Sequence, residues 1–362
     1  MKKINLILML LLLTLVLTSF ALAVELPDPI VVKDHQFKVG YLYREMGSES
    51  AQRNYQQVKI EAAHRGWKLI EVYAETDENR RNGLNNLINQ KVDAIIFANM
   101  PMKPLEDLII EARERGIGVY NVDTDLIPGV IANVTQLNGI AGLSMFYQIA
   151  EMLNWEGNFA IITVPEIPVN TQRTEPAKAL INNVFPGLTL LGEEYINVSE
   201  DVRGQAFNFT KRWLTKYGDK LDVVFSSWDG GAKAAANAIE QAGFDSSQVF
   251  SIGIDGGSET WSMIRKGTPF KYSYAQPFEL YDHVMFELIE QIQIRGIMPG
   301  DEGSMISKYG QTIYKDGRLI TPENVPEPGQ SVHAVFNYYD EDPDDANAWY
   351  NWQEEGGPYV IE

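Results

Sequence analysis

Polar side chains follow several predicted strands of this chain at the point where each strand ends. Residues 116–125 read Gly-Ile-Gly-Val-Tyr-Asn-Val-Asp-Thr-Asp, so a short apolar strand runs directly into the carboxylates Asp123 and Asp125. In open α/β sheets, ligands bind at the carboxyl ends of the strands. We therefore predict one binding site that collects these strand-end side chains, namely Arg44, Asn99, Asp123, Thr124, Trp228, Asp255 and Gln276, together with Arg173 from a polar loop at residues 165–174.

The chemistry of this set fits a ligand that carries many hydroxyl groups. Carboxylate and amide oxygens accept hydrogen bonds from hydroxyls, and a guanidinium donates hydrogen bonds from a rigid fork. An indole ring covers the apolar C–H face of a sugar. Plainer roles stay open nearby: Asp229 is predicted to cap a helix and Asp125 to lie in a turn. Trp228 could also be a core aromatic, and Arg44 could pair with Glu45 on the surface.

Motifs of the common enzyme classes are missing from the sequence. The four histidines lie at positions 35, 64, 283 and 333, without the spacing of metal ligands. There is no Gly-x-Ser-x-Gly elbow, no phosphate-binding loop and no dinucleotide fingerprint after the first strand. Asp123 and Asp255 could serve as the paired carboxylates of a glycosidase, which we keep as a minor alternative because no third group tunes them. We expect no catalytic residue, no metal site and no cofactor.

The first residues predict export from the cytoplasm. Lys2 and Lys3 precede an apolar run at residues 4–17, and Ala21-Leu22-Ala23 has the small-x-small pattern of a cleavage site. This is the pattern of a signal peptide cleaved after Ala23, since the apolar run falls short of the roughly 20 residues that span a bilayer. The chain has no cysteine, which excludes a lipid anchor, thiol catalysis and thiolate metal sites. We expect a free protein in the periplasm.

The composition also limits the partners. The formal net charge is −19 over 362 residues, and an acidic surface of this kind repels nucleic acid. The last thirty or so residues are acidic and aromatic, and we expect a solvated tail whose aromatic side chains anchor it to the rest of the protein. Whether the acidic run at residues 340–345 holds a structural calcium stays open, because it lacks the spacing of a calcium loop.

Predicted strands and helices alternate from Phe37 onward. Apolar runs such as Ala94–Ala98 are typical of strands that are covered on both faces. The β-α-β order implies a parallel sheet with helices on both sides. The pattern restarts near residues 133–138 and produces a second unit of similar size. The predicted fold class is therefore α/β, with two units whose strand ends carry the polar set.

The residues at these strand ends resemble a known family, the periplasmic sugar-binding proteins of ABC importers in the group of the ribose- and galactose-binding proteins. The resemblance runs from about Phe37 to about Gln276. Residues 116–123 are similar to the family's Ile-Pro-Val-x-x-x-Asp strand, and Ser-Ile-Gly-Ile-Asp-Gly at residues 251–256 is similar to Val-x-Gly-Phe-Asp-Gly. Further matches are Arg-Thr-Glu-Pro-Ala from residue 173, Val-Phe-Ser-Ser-Trp-Asp from residue 224 and Tyr-Ala-Gln-Pro from residue 274.

This resemblance implies ligand-binding roles for Asp123, Arg173, Asp255 and Gln276. Trp228 stands where the family usually has a ligand-binding asparagine. The stretch at residues 46–51 lacks the aromatic pair with which ribose binders stack on their sugar. We therefore expect Trp228, in the second of the two units, to provide the stacking surface instead. The ligand is expected to be a monosaccharide or polyol other than ribose itself.

The resemblance further implies two Rossmann-like lobes, each a parallel sheet with helices on both faces, joined by a three-crossing hinge near residues 133–135, 275–276 and 305. The expected boundaries are residues 1–23 for the signal peptide, 24–36 for a leader, 37–133 plus about 276–305 for the N-terminal lobe, 134–275 plus about 306–330 for the C-terminal lobe, and 331–362 for the tail. A monomer would close on its ligand and dock on the membrane permease of an ABC importer. A sensory role with a chemoreceptor or histidine kinase is the alternative.

Overall fold

The computed structural model describes residues 26–308, 311–336 and 343–362 of the chain. The predicted signal peptide lies outside these ranges. The described residues form two α/β lobes, each built on a six-stranded sheet, which confirms the predicted fold class.

The first lobe contains a wholly parallel sheet. In spatial order, its strands are β11 (Thr312–Tyr314), β5 (Ala132–Thr135), β4 (Gly118–Val122), β3 (Ala94–Ala98), β1 (Lys38–Tyr43) and β2 (Lys68–Tyr73). Every residue of β3 and β4 is buried, as their unbroken apolar character predicts. The strand ends are in register, because Tyr43 pairs with Ala98 and Ala98 pairs with Val122. The residues that follow these three strands therefore lie side by side at one edge of the sheet.

Four helices cover this sheet, namely α1 (Glu49–His64), α2 (Asp77–Asn89), α3 (Glu106–Glu114) and α9 (Phe278–Ile289). The Ser48 hydroxyl caps α1 and the Thr76 hydroxyl caps α2, each by accepting from a backbone amide three residues later. Helix α9 returns to this lobe from the far end of the chain. Its Phe278, Tyr281 and Met285 are fully buried against the sheet, so the lobe is completed by residues distant in sequence.

The second lobe repeats this arrangement with one reversed strand. Its spatial order is β12 (Arg318–Ile320), β10 (Phe270–Ala275), β9 (Phe250–Asp255), β8 (Val223–Ser226), β6 (Gly157–Thr163) and β7 (Leu188–Tyr195). Only β12 is antiparallel to its neighbour. The helices are α4 (Asn138–Met152), α5 (Pro168–Val184), α6 (Val202–Tyr217), α7 (Asp229–Gln241) and α8 (Ser258–Arg265). The ends of β8 and β9 face the ends of the first sheet across a cleft.

The third crossing between the lobes lies later in the chain than the expected position near residue 305. Strand β11 pairs with β5 in the first sheet, and β12 pairs with β10 in the second, so the chain crosses at residues 315–317. The first crossing likewise follows β5, at residues 136–137. Three-residue strands carry too few side chains to show a period of two, and they gain their stability from the neighbouring strand.

The C-terminal residues form a strap, residues 331–336 and 343–362, that contacts both lobes. It begins on the second lobe, where the short helix α10 (Val332–Val335) packs against Trp261 and Ile264. It then reaches the first lobe, where the Trp352 ring stacks on His64 with 3.5 Å between ring centroids. It finally returns to the second lobe, where the Ile361 amide donates to the Gln330 carbonyl. The strap therefore passes from one lobe to the other twice.

Candidate functional site

A cavity of about 390 Å³ lies between the two lobes. Its volume falls in the range of roughly 300–1,000 Å³ that is usual for small-molecule sites. The first lobe contributes a polar wall, made of Arg44, Glu45, Ser48, Ser50, Glu75 and Asn99. The second lobe contributes a mixed wall, made of Val164, Ile167, Asn170, Val198, Glu200, Asp201, Val202, Arg203, Trp228 and Asp255. One side of the cavity can therefore bind hydroxyls while the other covers an apolar face.

Arg173 joins carboxylates from both lobes at the inner end of the cleft. Its Nη1 donates to Asp255 Oδ1 at 3.3 Å and to the Ser227 carbonyl at 2.8 Å, and its Nε donates to Asn138 Oδ1 at 2.8 Å. Its Nη2 lies 3.7 Å from Asp123 Oδ2, across the boundary between the lobes. The Gln276 amide donates to Asp255 Oδ1 at 2.9 Å, which fixes that carboxylate from the hinge side.

Three non-glycine residues with a positive φ lie at the strand ends that form this site. Asn99 has a φ of 45°, Asp123 a φ of 49° and Asp255 a φ of 149°. Non-glycine residues rarely adopt such values, and they persist where the surrounding structure holds them in place, often at binding sites. All three residues directly follow or end a buried strand. The strain turns their side chains into the cleft instead of continuing the strand.

Burial changes the acidity of the two carboxyl groups. Burial raises the pKa of Asp123, and the Arg173 guanidinium opposes that rise. Burial raises the pKa of Asp255 to about 7, again against the pull of Arg173 and with the help of repulsion from Asp229 and Asp123. One guanidinium thus serves two carboxyl groups that repel each other, and the site holds no charge surplus that would favour an anionic ligand.

Several buried polar atoms around the cavity have no hydrogen-bond partner within the part of the chain that the structure describes. Asn99 Oδ1 and Asn170 Oδ1 belong to residues that line the cavity. Asp123 Oδ2 and Arg173 Nη2 do not line it and lie 3.7 Å apart at the inner end of the cleft. A buried polar group without a partner costs about 1–3 kcal/mol, and more if it is charged. The set contains acceptors from both lobes and one donor. A ligand with several hydroxyls could satisfy all of them, because a hydroxyl both donates and accepts.

Trp228 supplies the aromatic wall of the cavity. It precedes α7 and lies over the first turn of that helix, where a Cβ on Gly231 would come within 2.7 Å of the indole. Val198 and Val202 pack with it against one hydrophobic cluster of the second lobe. The glycines after Trp228 therefore leave the space that the indole occupies. The exposed indole surface suits the C–H face of a cyclic or open-chain carbon skeleton.

Four of the eight predicted residues line the cavity, namely Arg44, Asn99, Trp228 and Asp255, and the other four do not. Asp123 lies beside Arg173 at the inner end of the cleft. The Thr124 hydroxyl donates to the Met100 carbonyl, buried behind the strand ends. Gln276 acts through Asp255. Arg173 lies within α5, not in a polar loop, because Pro168 begins that helix nearer the N-terminus than expected.

Asp229 is also placed differently from its predicted role as a helix cap. It is the first residue of α7, and the cap position belongs to Trp228. The Asp229 carboxylate accepts from the Gly256 amide at 2.8 Å and from the Thr260 hydroxyl at 2.9 Å. It therefore fixes the turn after β9, which carries Asp255. Sequence reasoning missed Asn170, whose only signal is its position one helical turn before Arg173.

The two lobes touch each other around the mouth of the cavity. Gln172 Nε2 donates to Asp125 Oδ1 at 3.1 Å, and Arg203 Nη2 donates to the Gly47 carbonyl at 3.0 Å. Both contacts join a residue of the second lobe to a loop of the first. Asp125, predicted to lie in a turn, therefore also takes part in closing the cleft.

Two further kinds of feature are absent from the described residues. Among the described residues, no group of three or more His, Asp or Glu side chains could hold a metal ion. No helix in those same ranges is long and apolar enough to cross a membrane.

Two α/β lobes that meet over a polar cavity define the class of two-lobed binding proteins. The family model described as a periplasmic binding protein domain matches residues 40–293, and the chain belongs to this family. The family consists of binding proteins, and membership implies an extracytoplasmic location.

Individual relatives are distant in sequence and close in fold. A xylitol-binding protein of Mycolicibacterium smegmatis is 25% identical over 185 residues, which make up 51% of this chain and 52% of that protein. The chain thus matches about half the length of this curated relative. A sugar ABC transporter protein of Yersinia enterocolitica has a TM-score of 0.73 at 21% identity, over 89% of this chain and 95% of that one. An ABC transporter solute-binding protein of Agrobacterium vitis, with bound allitol, has a TM-score of 0.71 at 19% identity, over 80% and 97% of the two chains.

Proposed function

We propose that this protein captures a monosaccharide or polyol between its lobes, without making or breaking a bond. One observation carries the proposal: Asn99 Oδ1 and Asn170 Oδ1 in the cavity wall, and Asp123 Oδ2 and Arg173 Nη2 at the inner end of the cleft, are buried without a partner among the described residues. A polyhydroxylated ligand supplies both donors and acceptors to these atoms. The indole of Trp228 adds a surface for the carbon skeleton.

The relatives support an uncharged, hydroxyl-rich ligand. One is named for xylitol, one holds allitol, and a myo-inositol binding protein of Caulobacter shares the fold at a TM-score of 0.70. The position of the Asp123 carboxyl group beside Arg173 agrees with this choice, since it offsets the charge of the guanidinium before a ligand enters. We propose that pentitols, hexitols and their parent sugars are the ligand class.

The same relatives suggest what happens after capture. Several are subunits or solute-binding proteins of ABC transporters. We propose that the monomeric protein works in the periplasm after cleavage near Ala23, and that the closed form delivers the ligand to an ABC permease. The contacts of Gln172 with Asp125 and of Arg203 with Gly47 provide the closed surface that such a permease would meet.

Calorimetric titration tests the proposal. The mature protein would be titrated with xylitol, allitol, ribitol, myo-inositol, ribose, xylose, glucose and galactose, and each mixture analysed by NMR for new products. We expect one-to-one binding of at least one member in the micromolar range or tighter, with the ligand recovered unchanged. Absence of binding by the whole panel, or conversion of the ligand into a new product, would contradict the proposal.

A further inference from the structure

Helix α1 of the first lobe reaches into the turn that carries Asp255 in the second lobe. Glu49 and Arg53, one turn apart on the same face of α1, make these contacts. The Glu49 carboxylate accepts from the Ser258 amide at 2.5 Å and from the Glu259 amide at 3.3 Å. Arg53 Nη1 donates to the Gly256 carbonyl at 3.3 Å. Two side chains of one lobe thus hold the segment that directly follows a ligand-facing residue of the other.

The turn is shaped to let this helix approach. Gly257 precedes α8, and a Cβ at this position would collide with the Glu49 carboxylate. The amides of Ser258 and Glu259 form the N-terminal turn of α8, whose dipole favours a negative charge. Arg53 is fully buried, and Glu279 fixes its guanidinium through two hydrogen bonds of 2.7 Å. The contact therefore forms only when the lobes are together, between parts that are already rigid.

The C-terminal strap completes the contact. The Tyr359 hydroxyl donates to Glu49 Oε1 at 3.0 Å, and the Glu362 amide donates to the Ser258 hydroxyl at 3.0 Å. One carboxylate oxygen of Glu49 is thus shared between the strap and the second lobe. Tyr359 itself packs with Trp261 and Ile361 on the second lobe, and the Val332 amide donates to its carbonyl, so its hydroxyl reaches Glu49 of the first lobe from a fixed position.

We propose that Tyr359 and Glu49 form an interlobe latch that positions Asp255, so that the C-terminal strap sets the ligand affinity of a cavity it does not line. Tyr359 holds the Glu49 carboxylate on the amides of Ser258 and Glu259, and this keeps the 255–259 turn against α1 in the closed form. Glu49 and Tyr359 are positioning residues, because neither lines the cavity. The role in affinity rests on the proposed function, whereas the role in closing the lobes does not.

Tyr359→Phe removes the one hydroxyl on which the latch depends. Since the chain has no cysteine, Lys103→Cys and Lys211→Cys, one exposed site on each lobe, can carry a pair of nitroxide labels. We expect double electron–electron resonance to show longer distances between the two labels in Tyr359→Phe than in wild type, as in a more open form. This shift should be present both without ligand and with saturating xylitol. We also expect the affinity for xylitol, or for the panel member that binds best, to fall about tenfold through a faster off-rate.

Tyr217→Phe is the matched control, because its hydroxyl donates to the Leu191 carbonyl within the second lobe, away from the cleft. It should lower the thermal midpoint about as much as Tyr359→Phe while leaving distances and affinity unchanged.

Glu49→Gln should open the lobes by itself, and adding Tyr359→Phe to it should have little further effect. Identical distance distributions in wild type and Tyr359→Phe, or fully additive effects of the two substitutions, would overturn the latch. Failure of every panel ligand to bind wild type would instead contradict the proposed function, and the label distances would still decide about the latch.

Discussion

Arg173 Nη2 stands 3.7 Å from Asp123 Oδ2, and neither atom has a hydrogen-bond partner among the described residues. The distance is too long for a direct hydrogen bond, although both side chains are almost fully buried. A single ligand hydroxyl placed beside the pair could donate to the carboxylate and accept from the guanidinium. Because the two residues belong to opposite lobes, that hydroxyl would also join the lobes. Ligand recognition and closure would then be one event.

Loss of the Asp123 carboxylate should weaken binding strongly. Asp123→Ala leaves ligand hydroxyls and Arg173 without a buried charged partner, and we expect a cost of about 2–4 kcal/mol in binding free energy. Calorimetric titration with the best panel ligand measures it. Asp125→Ala, two residues away, removes only the contact with Gln172 at the mouth and should cost less than about 1 kcal/mol. Equal effects of the two substitutions would mean that the ligand binds elsewhere.

Asp255 is expected to lower the stability of the folded protein at neutral pH while it contributes to ligand binding. Its pKa of about 7 means that the folded protein retains a proton that the unfolded chain loses above about pH 4. The contribution of this carboxyl to stability therefore falls as the pH rises toward 7 and stays low above it. The unfolding free energy of Asp255→Asn relative to wild type should consequently be about 1–2 kcal/mol higher at pH 8 than at pH 5. The same substitution should weaken ligand binding.

Urea unfolding of ligand-free protein at the two pH values checks this prediction. Glu240→Gln, an exposed change on α7, serves as the control and should follow wild type at both values. A stability difference between Asp255→Asn and wild type that does not vary with pH would show that Asp255 is ionised throughout.

Trp228 should contribute through its ring surface. Trp228→Ala removes the aromatic wall and is expected to cost about 1–2 kcal/mol of binding free energy, whereas Trp228→Phe should retain most of it. Wild type should also show a change in tryptophan emission on ligand addition that Trp228→Phe lacks. Trp155→Phe, on the far side of the second lobe against Phe185, should keep both the affinity and the emission change. An unaltered signal in Trp228→Phe would exclude the ring from the site.

His333 should make the strap sensitive to acid. Burial lowers the pKa of His333 to about 4, although Glu279 and Glu61 act in the opposite direction. The stabilising effect of a neutral His333 is complete above about pH 6.5 and is lost as the pH falls toward 4, because the unfolded chain takes up the proton first. Wild-type stability should fall by up to about 1.4 kcal/mol per pH unit more steeply than that of His333→Phe.

Unfolding curves at pH 7, 5.5 and 4.5 measure the difference between wild type and His333→Phe. His35→Phe is a suitable control, because the His35 side chain is half exposed and contacts Asp93. Parallel pH profiles for wild type and His333→Phe would contradict the assignment.

The sequence was sufficient to predict the site residues at the strand ends, but not those on a helix. Asp123 and Asp255 follow apolar runs, so their position at the sheet edge could be read from the order of residues alone. Arg173 and Asn170 lie on the buried face of α5, and that face is polar because it points into the cleft. A helix whose buried face is polar shows no apolar period, and its first turns therefore resemble a loop.

The sequence led us to expect a tail anchored by its aromatic side chains, but the late crossing and the contacts of the strap with both lobes were beyond prediction for a different reason. β11 pairs with a strand almost 180 residues earlier, and Tyr359 contacts a residue 310 positions away. Such contacts form between residues that are far apart in the sequence and depend on how the folded lobes pack together, so local residue propensities do not predict them.

The Glu362 amide lies on the Ser258 hydroxyl, at the joint between the lobes. Anything fused to this residue is therefore attached where the two lobes meet. A purification tag there would interfere with the affinity that it is meant to help measure. We expect a fluorescent protein inserted at the same position to respond to closure of the lobes, which makes Glu362 a suitable attachment point for a sugar-reporting biosensor.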